Sequence, residues 1–194
     1  MIRGIILFFF FQVVVGNLQG QNLGFSIAGG KKKAQIPIEI HNNLIVIPVV
    51  LNDALPLKFI LDTGVRTTIL TQKTFSDILD LVYSRKYVIA GPGGENLVDA
   101  YITNNVSLEL PGVNGRGHAM LVLGQDYLEL RNYLGTDVHG ILGYELFSRF
   151  IIQIDYEKKM LTLMLPEKFR KTRRFQSLPI TIEDTKPYLM VPVV

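Results

Sequence analysis

Phe59-Ile60-Leu61-Asp62-Thr63-Gly64-Val65-Arg66-Thr67-Thr68-Ile69-Leu70 decides the reading of this chain. An apolar run ends in Asp-Thr-Gly, and a second run rich in β-branched residues follows at once. Period-two apolar segments on both sides predict strand, tight turn, strand. Asp and Gly are ordinary turn residues, so Asp-Thr-Gly alone carries little information. The flanks carry it. A carboxylate set between two buried strands is costly unless paired and hydrogen-bonded, and such placements cluster at functional sites. The reading therefore expects Asp62 in a shielded cleft, paired and hydrogen-bonded.

Outward from this turn, strand signals dominate. Ile36-Pro37-Ile38-Glu39-Ile40 alternates, and Leu44 to Leu51 is an apolar run interrupted by Pro48, which predicts an edge or a bulge. Asn52-Asp53 marks a turn, and Leu57 to Leu61 completes a hairpin that feeds the Asp62 turn. Thr74 to Leu81 has helical spacing at Phe75, Ile78 and Leu79. Tyr87–Ala90 and Val98–Ile102 flank the Gly-rich loop Gly91-Pro92-Gly93-Gly94-Glu95-Asn96, which predicts a hairpin with a mobile tip. Further strands are expected at Val106–Leu110 and Ala119–Leu123, with a loop from Pro111 to Gly117 and a helical turn within 126–134. His139-Gly140-Ile141-Leu142-Gly143 is the second glycine-punctuated apolar element, followed by a short helix to Phe150 and a hairpin, Ile151–Asp155 with Met160–Met164. The class is mainly β with one or two short helices.

Composition narrows the chemistry. Of 194 residues, 48% are hydrophobic and 19% charged, which suits a packed core and excludes a disordered chain. There is no Cys, and the three His residues (His41, His118, His139) are scattered, so no metal site and no cofactor is expected. Lys31-Lys32-Lys33 and the basic run from Lys168 to Arg174 read as solvated faces. Neither supplies a nucleic-acid reading element, so no nucleic-acid partner is expected.

Residues 1–20 read as a signal peptide. Arg3 gives the charged start, Gly4 to Val15 the apolar stretch, and Gly16 and Gly20 small residues at plausible cleavage points. The stretch is short for a bilayer span, and an exported protein, periplasmic or extracellular, is expected. The chain also echoes itself. Ile36-Pro37-Ile38-Glu39-Ile40, then Leu44 to Val50, is matched by Leu178-Pro179-Ile180-Thr181-Ile182, then Tyr188 to Val194, with two extra residues assigned to the second turn. The organisation expected is a signal peptide (1–20), a linker (21–35), one lobe (36–165), a basic linker (166–177) and the start of a second, truncated lobe (178–194).

Taken together these residues resemble the retropepsin-like aspartic peptidases, in particular bacterial exported members. Asp62 to Leu70 is similar to that family's catalytic loop, Ile141-Leu142-Gly143 to the apolar-apolar-Gly element that packs across the loop, and Gly91, Pro92, Gly93 and Gly94 occupy the place of its flap. Val65 and Arg66 depart from the family pattern. The resemblance implies a closed β-barrel acid-protease lobe with Asp62 as the catalytic acid. It implies that Thr63 hydrogen-bonds to a partner loop, that Gly64 allows close approach of substrate, and that the flap closes over an extended peptide. It also implies a second Asp-Thr-Gly, and this chain has one. The second would come from a homodimer or from a second lobe in the full-length chain. A non-catalytic peptide-binding module on the same fold is the alternative. His139 is read as structural, Asp155 as a turn residue, and Asp126 and Asp137 as members of polar loops.

Overall fold

The computed structural model describes residues 23–90, 97–173 and 175–191. The signal-peptide stretch, the flap tip Gly91–Asn96 and the last three residues lie outside them. The described strands are β1 (Gly24–Ile27), β2 (Lys33–Pro37), β3 (Glu39–His41), β4 (Leu44–Leu51), β5 (Leu55–Leu61), β6 (Thr68–Leu70), β7 (Tyr83–Ala90), β8 (Leu97–Leu110), β9 (Val113–Leu123), β10 (Gly140–Leu142), β11 (Ile151–Asp155), β12 (Met160–Met164), β13 (Thr181–Glu183) and β14 (Lys186–Tyr188). Three short α-helices, α1 (Lys73–Ile78), α2 (Leu130–Leu134) and α3 (Tyr144–Phe147), and two 3-10 turns, Ala28–Gly30 and Pro166–Lys168, complete the regular structure of the described residues. Glu129 before α2 and Gly135 after it both have positive φ, so α2 is one isolated turn with little periodicity to read.

Nine strands form one sheet in the order β1-β9-β6-β10-β5-β4-β8-β7, with β3 on β4. Because β8 also pairs with β9, the pairings β9-β6-β10-β5-β4-β8 return to their start. Strands β11, β12 and β2 form a second sheet, and β13 and β14 a third. The core lies between the first two, with Ile36, Ile47, Leu51, Phe59, Leu70, Leu108, Met120, Leu142, Leu161 and Leu163 all inaccessible. Alternation builds it: Ala34 and Ile36 of β2 point in while Lys33, Gln35 and Pro37 point out.

Several local readings are sharpened. Pro48 is exposed and falls between the stretches of β4 that pair β3 (Leu44–Val46) and β8 (Val50–Leu51), where no neighbour needs its missing N–H. The strands expected at 98–102 and 106–110 are one strand. It continues through an irregularity around Asn104-Asn105, where Asn105 has positive φ. The expected 111–117 loop shrinks to a turn at Pro111-Gly112, since Val113 to Arg116 pairs with both β1 and β8. The stretch 21–35, read as a linker, carries β1 and part of β2, with Phe25, Ile27 and Ala34 buried.

The described parts of the two echoed segments form hairpins of the same register, with one correction to the reading. In the first copy Glu39 faces Val46, Ile40 faces Ile45 and His41 faces Leu44. In the second Thr181 faces Tyr188, Ile182 faces Pro187 and Glu183 faces Lys186. Both turns hold two residues, each with positive φ: Asn42 and Asn43, Asp184 and Thr185. That is the type I′ pattern of a two-residue hairpin. The extra residues of the second copy therefore lie beyond Tyr188 and not in the turn.

Candidate active site

The Asp62 turn is built by its neighbours in space. Strand β10 inserts between β5 and β6, the two strands the turn connects, parallel to the first and antiparallel to the second. Ile141 stands beside Ile60 and Ile69. It packs, half-buried, on Val46, Ile60, Leu134 and Val138, while Leu142 is inaccessible in the main core. The Asp62 amide donates to the Leu142 carbonyl at 3.0 Å, and the Tyr144 amide donates to the Val65 carbonyl at 2.9 Å. Gly143 lies against the turn so closely that a β-carbon there would fall 1.9 Å from the Asp62 carbonyl oxygen and 2.7 Å from that of Val65. Only glycine fits. The element at 141–143 thus fixes the backbone of the turn.

The carboxylate itself is oriented from within the turn: the Gly64 amide donates to Asp62 Oδ1 at 2.8 Å. A bond of this kind fixes the side-chain rotamer. One expectation is corrected here. Asp62 is exposed, as are Gly64 and Arg66, while Thr63 is half-buried. Among the described residues the turn is buried at its base and open at its tip. Neither Thr63 nor Arg66 makes a side-chain hydrogen bond or ion pair among the described residues.

The profile of the aspartyl protease family matches residues 47–146, a span just over half of the chain that runs from within β4 into α3. The chain belongs to the aspartyl protease family. The resemblance to aspartic peptidases is borne out at the level of that family. Solved structures similar to the chain include a retropepsin-like aspartic protease from Rickettsia conorii. It is 23% identical, covers 72% of this chain and 92% of its own, and has a TM-score of 0.43. No curated protein matches.

The other acids and histidines of this aspartyl protease chain have structural work. The Asp155 carboxylate accepts from the Lys158 amide at 2.9 Å, capping the β11–β12 turn. Asp126 accepts from Gln72 and from the Glu129 amide, closing its loop. His139 Nδ1 accepts from the Lys58 amide at 3.1 Å, and the ring meets Phe75 edge-on. Burial pushes the His139 imidazole below its usual range, outweighing the upward pull of nearby Asp137. It therefore rests neutral, as that accepted bond requires. Among the described residues no three His, Asp or Glu side chains converge as metal ligands.

Sequence reasoning missed one polar cluster. His118 and Thr68 are buried, and both bind Glu145: His118 Nδ1 lies 3.1 Å from Oε1, and Thr68 Oγ1 donates to Oε2 at 2.6 Å. These residues are 77 and 27 positions apart, beyond the reach of any local pattern. The available signal was weak: a histidine inside an apolar strand run, and a glutamate at the mouth of a helix.

Proposed function

We propose that the chain is a lobe of an exported aspartic endopeptidase that hydrolyses peptide bonds through a water activated by paired carboxylates, Asp62 being one. The supporting observation is a contrast within a single turn. Its backbone is pinned by Leu142, Gly143 and Tyr144, and its carboxylate is aimed by Gly64, yet the acid faces outward. A rigid, oriented, uncovered carboxylate is half of a site.

The chemistry requires the other half. Without metal or covalent intermediate, hydrolysis needs a base to take a proton from water and an acid to protonate the carbonyl oxygen. Two carboxyl groups brought to about 3 Å cannot both ionise, as is general for aspartic proteases, so one proton is shared and the pair titrates as a unit. The ionised member takes the proton of the attacking water, and the protonated member gives its own to the carbonyl oxygen. Collapse of the tetrahedral species then breaks the C–N bond as the leaving amine is protonated. The second acid comes from a second Asp-Thr-Gly turn, in a two-fold copy of the chain or in a second lobe. The hairpin β13–β14 supports the second lobe, since it repeats the register and turn of β3–β4. We further read the ring of pairings in the main sheet as a closed barrel. Strand β7 pairs only with β8 and is exposed from Ser84 to Val88, which suits a flap arm that adds an extended peptide as a strand. Residues 1–20 direct export.

The test is cleavage of a denatured protein at mildly acidic pH by the full-length protein and by its Asp62→Asn variant. Cleavage lost in the variant supports the reading, and cleavage that survives overturns it. The exposure of a lone acid favours a second reading, a peptide-binding module without catalysis. Binding of extended peptides without turnover, unchanged by Asp62→Asn, is what that reading expects.

A further inference from the structure

Residues 142 to 145 touch the Asp62 turn at four successive points. The Leu142 carbonyl holds the Asp62 amide, Gly143 lies under the Asp62 carbonyl, and the Tyr144 amide holds the Val65 carbonyl. The Glu145 carboxylate holds Thr68 Oγ1. The first three contacts are backbone. The fourth is a side chain, and it sits where the turn becomes β6. Its other oxygen is taken by His118 of β9, the strand that pairs with β6 on the side away from β10. One carboxylate therefore joins α3, β6 and β9 at the exit of the turn.

We infer that Glu145 is a positioning residue for Asp62, clamped by Thr68 and His118 so that the turn cannot slide along β10. The inference rests on the reading of Asp62 as the catalytic acid. The 2.6 Å bond from Thr68 has the length of a charge-assisted O–H···O⁻ contact. The side chain of Glu145 is about three-quarters covered (26% exposed) and that of His118 almost wholly (3% exposed), so solvent competes little for the clamp.

The same geometry assigns the tautomer of His118. Nε2 is buried without a partner among the described residues. It is enclosed by Phe25, whose ring centre is 4.2 Å from the imidazole, and by Gly115, where an added β-carbon would fall 2.7 Å from Nε2. An orphaned buried N–H is rarer and costlier than an orphaned acceptor. The proton therefore sits on Nδ1, donated to Glu145, and Nε2 is bare. This tautomer leaves the ring's N–H donor satisfied.

Proton–nitrogen correlation spectra of the full-length protein test the clamp without requiring turnover. Glu145→Ala should move the backbone amide resonances of Gly64, Val65 and Tyr144. Glu145→Gln, which keeps two hydrogen-bonding positions, should leave them near their wild-type places. Thr68→Val, nearly isosteric, should move them in the same direction as Glu145→Ala and less far. Long-range spectra of the ring should show His118 protonated at Nδ1. The inference is overturned if Glu145→Ala disturbs only Thr68 and His118 while Gly64 and Val65 stay in place. It is equally overturned if Glu145→Ala does not fold and Thr68→Val leaves Gly64 unmoved, or if Nε2 carries the proton. Failure of the peptidase reading appears instead as cleavage that survives Asp62→Asn.

Discussion

The hairpins β3–β4 and β13–β14 have the same register and the same kind of two-residue turn, and opposite fates. Ile36 and Ile38, which lead into the first, are 0% and 4% exposed, whereas their counterparts Leu178 and Ile180 are 69% and 55% exposed. Local sequence sets the turn and the alternation in both. What differs is the company. The first hairpin lies on β5 and β8, and β2 ahead of it lies on β12, while among the described residues β13 and β14 pair only with each other. A lone two-stranded hairpin is marginal in water. The second copy thus carries the instructions of the first without the surfaces that make them stable.

The most forceful way to break this comparison is to truncate matched residues. Ile38→Ala should destabilise the protein by about 2–5 kcal/mol, because it leaves a cavity in a closed core. Ile180→Ala should change stability by less than about 0.5 kcal/mol, as exposed substitutions do. Urea unfolding of the two variants decides it. Equal losses would mean that the second hairpin is already covered.

The turns offer a finer test. Asn tolerates positive φ and β-branched Thr does not, yet Thr185 stands at φ 71° where the first copy has Asn43 at φ 65°. Asn43→Thr should cost about 1 kcal/mol of global stability. Thr185→Asn should leave global stability unchanged while strengthening the cross-strand contacts between Thr181 and Tyr188, read by nuclear Overhauser effects. Pro187 faces Ile182 at the pair next to the turn-closing one, which is not hydrogen-bonded in such hairpins, so it removes no ladder bond.

The smallest expected effect is electrostatic and belongs to the covered region alone. His139 donates its amide to the Lys58 carbonyl beside β4, and burial holds its imidazole below the usual range. A depressed native pKa means that the unfolded chain takes up the proton first as pH falls. Stability is then full above about pH 6.5, the ordinary histidine value, and declines as pH falls from there through the lower native value. Urea midpoints at neutral and mildly acidic pH should show this decline, and His139→Gln should reduce it.

Much of the fold was legible because its signals are local. Alternation at Ile36–Ile40, the apolar run at Leu44–Leu51, the Asp62 turn and the punctuated Ile141–Gly143 element each fell where they were read. So did the structural roles of His139 and Asp155. What was not legible depends on distant partners. The glycine-rich stretch Val113–Gly117 resembles a loop, and becomes strand because β1 and β8 flank it. The Glu145 clamp joins residues from three separate segments. The exposure of Asp62 among the described residues could not be read either, since the flanks of the turn are as apolar as expected and say nothing of what lies over its tip.

The dependence of peptide cleavage on pH tests the central claim most directly. If Asp62 shares a proton with a second acid, the rate of the full-length protein should follow a bell with two limbs that belong to the pair, and Asp62→Asn should abolish it at every pH. A profile with a single limb, or a bell that persists in Asp62→Asn, would contradict the account.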